Sequence, residues 1–365
     1  MINLQFFPSR RIAWYLARTF LVRSFAVLLA LTVVLQTLDL LGESGKILAP
    51  AGNSDAQLWL YVSLRFPQLV ARFLPFAVLL GTLITLATLN QHSEVVSMKA
   101  AGISAHQIIA PLILASVAVA ALNFAFNERI VTRASATLRA WEEADYGPVP
   151  KGDASARNVW VRFGDDLILA RKVEGRGAAT RLEGVTIYAR EGATLDRRID
   201  GARASFRGGG WLLEDVSSFR VDEGRRVAAP FLRYGEGLDP AQFTMARIDA
   251  DEQNLFELRD SIHQLRLAGR PTASLESGLW HKLSGPLSAV LMPLLAAVAA
   301  FGLARAGQVM LRAAFGMALG FAYFVVDNFA LAMGNLGAYP PWLAAWAPFA
   351  LFLLIGETVL IRTEE

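Results

Sequence analysis

Six long apolar runs, three before and three after the polar segment 128–277, constrain this chain more than any other feature. They are Phe20 to Leu41, Phe66 to Leu89, Ile108 to Phe126, Leu283 to Leu303, Ala313 to Met333 and Trp342 to Ile361. Each is close to the roughly 20 residues that carry a helix across hydrocarbon. A chain of 365 residues that is 54% hydrophobic yet 18% charged must keep the two populations apart, and here they are separated along the sequence. The predicted architecture is an integral membrane α-helical protein with six transmembrane helices, 3+3, around one inserted polar domain. The first run exceeds the about 7–15 residues of a signal-peptide core and no small-x-small site follows it, so it is expected to stay in the mature chain. Cysteine is absent, which removes disulfides and thiolate metal sites.

Basic residues orient the spans. Arg10, Arg11, Arg18 and Arg23, then Lys99, Arg305, Arg312 and Arg362, all fall on one side if the spans alternate. The opposite short loops hold Lys46 and Arg65, and Gly334 to Pro341 has no basic residue. The positive-inside rule then places both termini in the cytoplasm and segment 128–277 outside it; long translocated domains largely escape the rule, so that segment's arginines carry little weight.

Within the segment, Val159-Trp-Val-Arg-Phe, Leu167-Ile-Leu-Ala, Val185-Thr-Ile-Tyr-Ala, Ala202-Arg-Ala-Ser-Phe and Trp211-Leu-Leu are short, β-branched or aromatic, and often alternating. Glycine-rich turns such as Gly208-Gly-Gly divide them. The pattern predicts an all-β, jelly-roll-like or sandwich domain without crossover helices. Leu258, Ile262 and Leu265 share a helical face, so 255–267 reads as an amphipathic helix returning to the membrane. The predicted divisions are 1–127 for spans one to three, 128–277 for the β domain with its amphipathic helix, and 278–365 for spans four to six.

Several chemistries are poorly supported. Gly42-Glu-Ser-Gly-Lys46-Ile47 imitates a phosphate loop, but Ile47 stands where Ser or Thr must hold magnesium. His92, His106, His263 and His281 have neither i,i+4 pairing nor a neighbouring Glu-x-x-His, which argues against a metal site. No nucleophile elbow is present. The chain reads as a non-enzyme that binds no cofactor itself.

The loop between spans two and three is more informative. Asn90 to Gly102 predicts a short helix, about 91–104, with Ser93 as N-cap and Glu94 in its first turn. Val95, Met98 and Ala101 form an apolar stripe for a cytoplasmic partner, with Glu94 and Lys99 beside it; a plain surface connector is the competing reading. In span five Asp327 is an intramembrane acid, a functional candidate unless a neighbour or interfacial water satisfies it. Gly316 and Gly320 make a Gly-x-x-x-Gly step that predicts close helix contact. Asp39 and Glu357 lie near span ends, where ordinary snorkelling or interfacial hydration accounts for both. Arg65 with Arg72, and Arg129 with Arg133, form cationic faces near the outer surface, suited to generic lipid anchoring or to a phosphorylated lipid.

These residues together resemble a known family. Ser93-Glu94-Val-Val-Ser-Met98-Lys-Ala-Ala-Gly102, preceded by Leu74-Pro-Phe-Ala-Val-Leu-Leu-Gly81, is similar to the coupling region of lipopolysaccharide-export ABC transporter permeases of the LptF/LptG (YjgP/YjgQ) type. Trp280-His-Lys-Leu-Ser-Gly-Pro286-Leu-Ser-Ala, Phe301-Gly302 and Asp327 resemble its G-type members more than the F-type, and Gly184-Val-Thr-Ile-Tyr188-Ala and Trp211-Leu-Leu extend the likeness into the β domain. The resemblance implies a permease half that pairs with an LptF-type permease, an LptB-type ATPase dimer carrying ATP and Mg, and an LptC-type bitopic subunit. Lipopolysaccharide would be extracted from the inner membrane and passed to a periplasmic β-jelly-roll bridge toward the outer membrane. Glu94 would contact the ATPase, and spans one and five would line the lipid cavity. Where some members carry lysines near the outer end of span one, this chain has Gln36, Gly42 and Glu43. Lys46, Arg65, Arg72, Arg129 and Arg133 are the candidate replacements as headgroup ligands, on charge and side alone. Rival readings are the paralogous F-type subunit, a membrane-anchored periplasmic scaffold, and an ion-coupled transporter using Asp327.

Overall fold

The computed structural model describes residues 8–148, 156–175, 177–192, 194–222, 224–244, 249–267, 270–301 and 309–362. The first helices are α1 (Arg10–Leu48), α2 (Asp55–Gln91), α3 (Glu94–Ala100) and α4 (Ala105–Phe126), followed by a π turn (Asn127–Val131) and α5 (Thr132–Glu142). Strands β1 (Ala156–Phe163), β2 (Asp166–Glu174), β3 (Arg181–Glu191), β4 (Thr194–Arg207), β5 (Gly210–Arg220) and β6 (Arg226–Tyr234) come next. Helices α6 (Ala241–Thr244), α7 (Leu255–Leu267), α8 (Ala273–Phe301), α9 (Val309–Asn335) and α10 (Pro341–Arg362) complete the order. Among the described residues, six helical stretches are long and apolar enough to span a membrane, three before and three after the sheet, as predicted. Arg305 and Gly302, used in the sequence reading, lie outside the described residues.

The chain divides into a helical unit, Met1–Ser135 with Ala250–Glu365, and a second unit, Ala136–Asp249. Two boundaries differ from the sequence expectation. The third span does not stop near Phe126 but runs on through the π turn into α5. Helix α7 belongs to the helical unit, where Leu258, Ile262 and Leu265 are buried, and it packs against α8.

Small residues set the helix packing. A Cβ on Gly81 of α2 would lie 2.6 Å from the Ser24 Cα of α1. On Gly320 it would lie 2.1 Å from Leu79 Cδ2, and on Gly316 2.7 Å from Leu83 Cδ2 and 2.9 Å from Ala299 Cβ. Backbones approach where side chains vanish, and packing then replaces the hydrophobic effect that lipid cannot supply. Helix α8 is the most enclosed: Leu291, Met292, Leu294, Leu295, Ala296 and Ala297 are all buried. By contrast α1 buries one seam at four-residue steps, Leu16, Phe20, Ser24, Leu28, Thr32 and Gln36. Its opposite face leaves Phe25, Leu29, Val33 and Leu38 exposed, and α9 likewise exposes Phe315, Phe321, Val325 and Phe329.

The β unit is one six-stranded antiparallel sheet in sequential order, β1 to β6, a meander with no crossover among its strands. Register aligns its core: Val161, Ile168, Ile187 and Ile199 face one another across four strands, and all four are buried. Trp211 closes one end of this core, its indole donating to the Leu238 carbonyl at 3.0 Å and meeting Phe243 edge-on. The sixth strand was not read from sequence because Pro230 interrupts it. It is an edge strand, and Pro230 falls between the paired positions Ala229 and Phe231, opposite Asp215, so its missing N–H costs no ladder bond.

Candidate functional site

Helix α3 sits between α2 and α4, and its geometry corrects the predicted loop. Ser93 does occupy the N-cap position, but its φ of 58° is left-handed and its side chain makes no capping bond. Its carbonyl instead accepts from the Ser97 amide and hydroxyl, both at 3.0 Å. The start of the apolar stripe faces inward: Val95 is buried in the helical core and half-buried Met98 packs against it. Val95 is thus committed to the core, whereas Ala101, the third member of the predicted stripe, is exposed. The exposed side is Val96, Ser97, Lys99, Ala100 and Ala101. Glu94 stands at the edge of that side, where the Tyr15 hydroxyl of α1 donates to Oε2 at 3.1 Å and Oε1 at 3.3 Å. Tyr15 was missed because nothing local to Trp14-Tyr15 signals a partner 79 residues away.

The five candidate headgroup cations are not equivalent. Arg65 grips Asp39 through both Nε and Nη2 at 3.1 Å, donates to Gln68 at 2.9 Å, and the same carboxylate accepts from Tyr61 at 2.6 Å. Asp39 is therefore held by protein rather than merely hydrated, and Arg65 is engaged in binding α1 to α2. Lys46 pairs with Glu43 at 2.9 Å. Arg72, Arg129 and Arg133 are exposed. Glu357, by contrast with Asp39, is about half exposed, with His106 Nε2 3.4 Å from it.

Within the spans, Asp327 of α9 is 7% exposed. Its Oδ1 finds no hydrogen bond among the described residues, and the imidazole of His281 on α8 is a titratable neighbour. Gln36, one of the three residues standing where lysine occurs in some members, is buried, and neither of its amide atoms has a hydrogen bond among the described residues. The phosphate-loop mimic, Gly42 to Ile47, is continuous α-helix, so its amides are committed to the helix ladder and cannot cradle an anion.

A polar node escaped the sequence reading altogether. Glu128, in the π turn, pairs through Oε1 with Lys282 of α8 at 3.2 Å and through Oε2 accepts the Leu255 amide at the start of α7, at 2.6 Å. The two side chains are 15% and 11% exposed, so this is an ion pair largely withdrawn from water. Asn254 completes the α7 start, its side chain accepting from the Phe256 and Glu257 amides while Glu257 accepts from the Asn254 amide, a reciprocal cap. The cap was legible as Asn-x-x-Glu; the long-range pair was not.

Comparison with known proteins agrees with this architecture. The chain is 25% identical over 352 residues to the lipopolysaccharide export system permease protein LptG of Escherichia coli (strain K12), covering 94% of this chain and 95% of that protein. It is 22% identical over 371 residues to the protein of the same name from Haemophilus influenzae, covering 96% and 98%. The profile of the lipopolysaccharide export system permease LptF/LptG family matches residues 14–362, and the chain belongs to that family.

Proposed function

We propose that this chain is the G-type half of the export permease, lifting lipopolysaccharide out of the inner membrane toward a periplasmic β-jelly-roll bridge. The observation that carries the reading is the family match across both the helical unit and the β unit, together with relatives named LptG. The uncovered apolar faces of α1 and α9 support it. Exposed Phe, Leu and Val along these two helices need lipid or a second permease, and an F-type partner facing them would enclose an acyl-lined cavity.

Force must come from outside the chain, because each CH₂ drawn from hydrocarbon into water costs about 0.8 kcal/mol and the cargo has several acyl chains. An LptB-type ATPase dimer, closing on ATP and Mg, would push on the exposed side of α3 with Glu94 as its charged contact. The seating of Val95 in the helical core, with Met98 packed against it, would let α3 pass that push to α2. Narrowing of the cavity then expels the lipid toward the inserted β domain and, through an LptC-type subunit, the bridge. In this reading both termini are cytoplasmic, the β domain is periplasmic, and exposed Arg72, Arg129 and Arg133 are the cations nearest in placement to anionic headgroups.

Affinity purification of the tagged chain from its native membrane, with protein and lipid mass spectrometry, tests this. The expected result is co-purification of an ATPase, an F-type permease and lipopolysaccharide. Recovery of neither ATPase nor glycolipid would overturn it, and recovery of a G-type permease as partner would reassign the chain as the F-type subunit.

A further inference from the structure

Helix α7 carries two apolar faces. Leu258, Ile262 and Leu265 are buried, and nearly opposite them Phe256 is 80% and Leu267 76% exposed. The positions of its ends along α8 are fixed by two contacts. At the N-terminal end, the Leu255 amide meets Glu128, which pairs with Lys282. At the C-terminal end, Arg266 Nη2 lies 2.7 Å from Glu276. Lys282 and Glu276 are six residues apart, about 9 Å along α8, so α7 runs antiparallel to α8 and rises away from the bilayer, with Phe256 at its low end. Lys282 is followed by Leu283, the start of the fourth apolar run, and both Trp280 and Leu283 show exposed apolar surface there. Phe256 therefore projects at the level where the apolar belt begins.

We infer that α7 is an interfacial anchor whose N-terminal turn inserts Phe256 into the headgroup–acyl boundary of the bilayer, while its C-terminal turn stands in water. An aromatic side chain at that depth gains by leaving water without entering the hydrocarbon centre. Arg259, one turn on, is exposed and has no ion-pair partner among the described residues, which suits an anionic headgroup beside the inserted ring. Leu267, at the high end, is outside the reach of the boundary. The inference needs only that the six helices cross a bilayer; it does not depend on the cargo.

The cysteine-free sequence permits clean single-site labelling. Nitroxide labels at Phe256→Cys, His263→Cys and Leu267→Cys, in the full-length chain reconstituted with its co-purifying subunits in phosphatidylethanolamine–phosphatidylglycerol vesicles, would be tested against oxygen and a water-soluble nickel chelate. A label at Leu354→Cys, on an exposed mid-span position of α10, serves as the bilayer reference. The expected result is oxygen-dominated relaxation at 256 and 354 and nickel-dominated relaxation at 263 and 267. Nickel dominance at 256 with oxygen dominance at 354 would overturn the anchor alone, as would a 256 label immobilised and shielded from both reagents by protein. Nickel dominance at 354 as well would overturn the membrane-spanning reading together with it.

Discussion

The Tyr15 hydroxyl donates to both carboxylate oxygens of Glu94, at 3.1 and 3.3 Å, and so ties α3 to the N-terminal part of α1. If Glu94 is the charged contact for the ATPase, Glu94→Lys should abolish ATP-driven lipopolysaccharide release from proteoliposomes while membrane insertion persists. Tyr15→Phe keeps the charge and loses only the tether, so it should reduce release partially. Wild-type release by Glu94→Lys would remove the docking role.

Three glycines separate tight packing from empty space. Gly81→Ala would drive a Cβ against the Ser24 backbone, which cannot step aside, and should cost about 1–3 kcal/mol. Gly320→Ala meets only the tip of Leu79 and should cost less. Gly42→Ala has nothing within 4 Å and should be neutral or stabilising by up to about 1 kcal/mol, since alanine is the better helix former. Thermal melting of the detergent-purified variants should rank them in that order.

Lys282→Met strands the Glu128 carboxylate in a site from which water is largely excluded, a loss of about 3–5 kcal/mol when one partner of a buried pair is removed. Combining it with Glu128→Gln, which still accepts the Leu255 amide, should restore part of that stability. A double variant as unstable as Lys282→Met would mean that packing, not charge, is at stake.

Tyr234 donates to Asp166, which also accepts the Arg190 amide at 2.9 Å, across the β unit. Burial first, then the hydrogen bond and charge of Asp166, hold the phenol well above its ordinary value of 10.0. The folded domain therefore keeps a proton that the unfolded chain releases. This contribution is complete below about pH 10 and is lost as pH rises from there through the folded value. Trp211 fluorescence should report a β unit whose melting temperature falls in that alkaline range, and Tyr234→Phe should flatten the fall. An unchanged slope in the variant would exclude this pair as its source.

The cation set can be ranked by photocrosslinking to lipopolysaccharide. Single neutral replacements of Arg72 and Arg129 should lower crosslinking, each by more than replacement of Lys46, which has Glu43 at 2.9 Å. Arg65→Gln should act differently, by loosening α1 from α2 through the freed Asp39. Asp39→Asn should reproduce that defect, which a headgroup ligand would not predict.

Hydropathy and periodicity are sums over neighbouring residues, and whatever depends on them was legible: six spans, five of the six strands, the buried side of α7 and the close steps at Gly316 and Gly320. Pro230 hid the sixth strand because a proline reads as a breaker unless the strand is known to lie at an edge. For α3 the pattern announced a short helix but not which of its faces is exposed. The stripe Val95–Met98 announced that α3 has an apolar side, yet only the packing of α2 and α4 decided that this side faces the chain itself. Charges were least legible. Asp39 and Arg65 are 26 residues apart, and Glu128 and Lys282 are 154 apart. An ion pair depends on two side chains reaching one point in space, which no local pattern encodes. Composition and period thus decided what crosses the bilayer and what folds as sheet, while tertiary packing decided which distant charges meet and hold helices together.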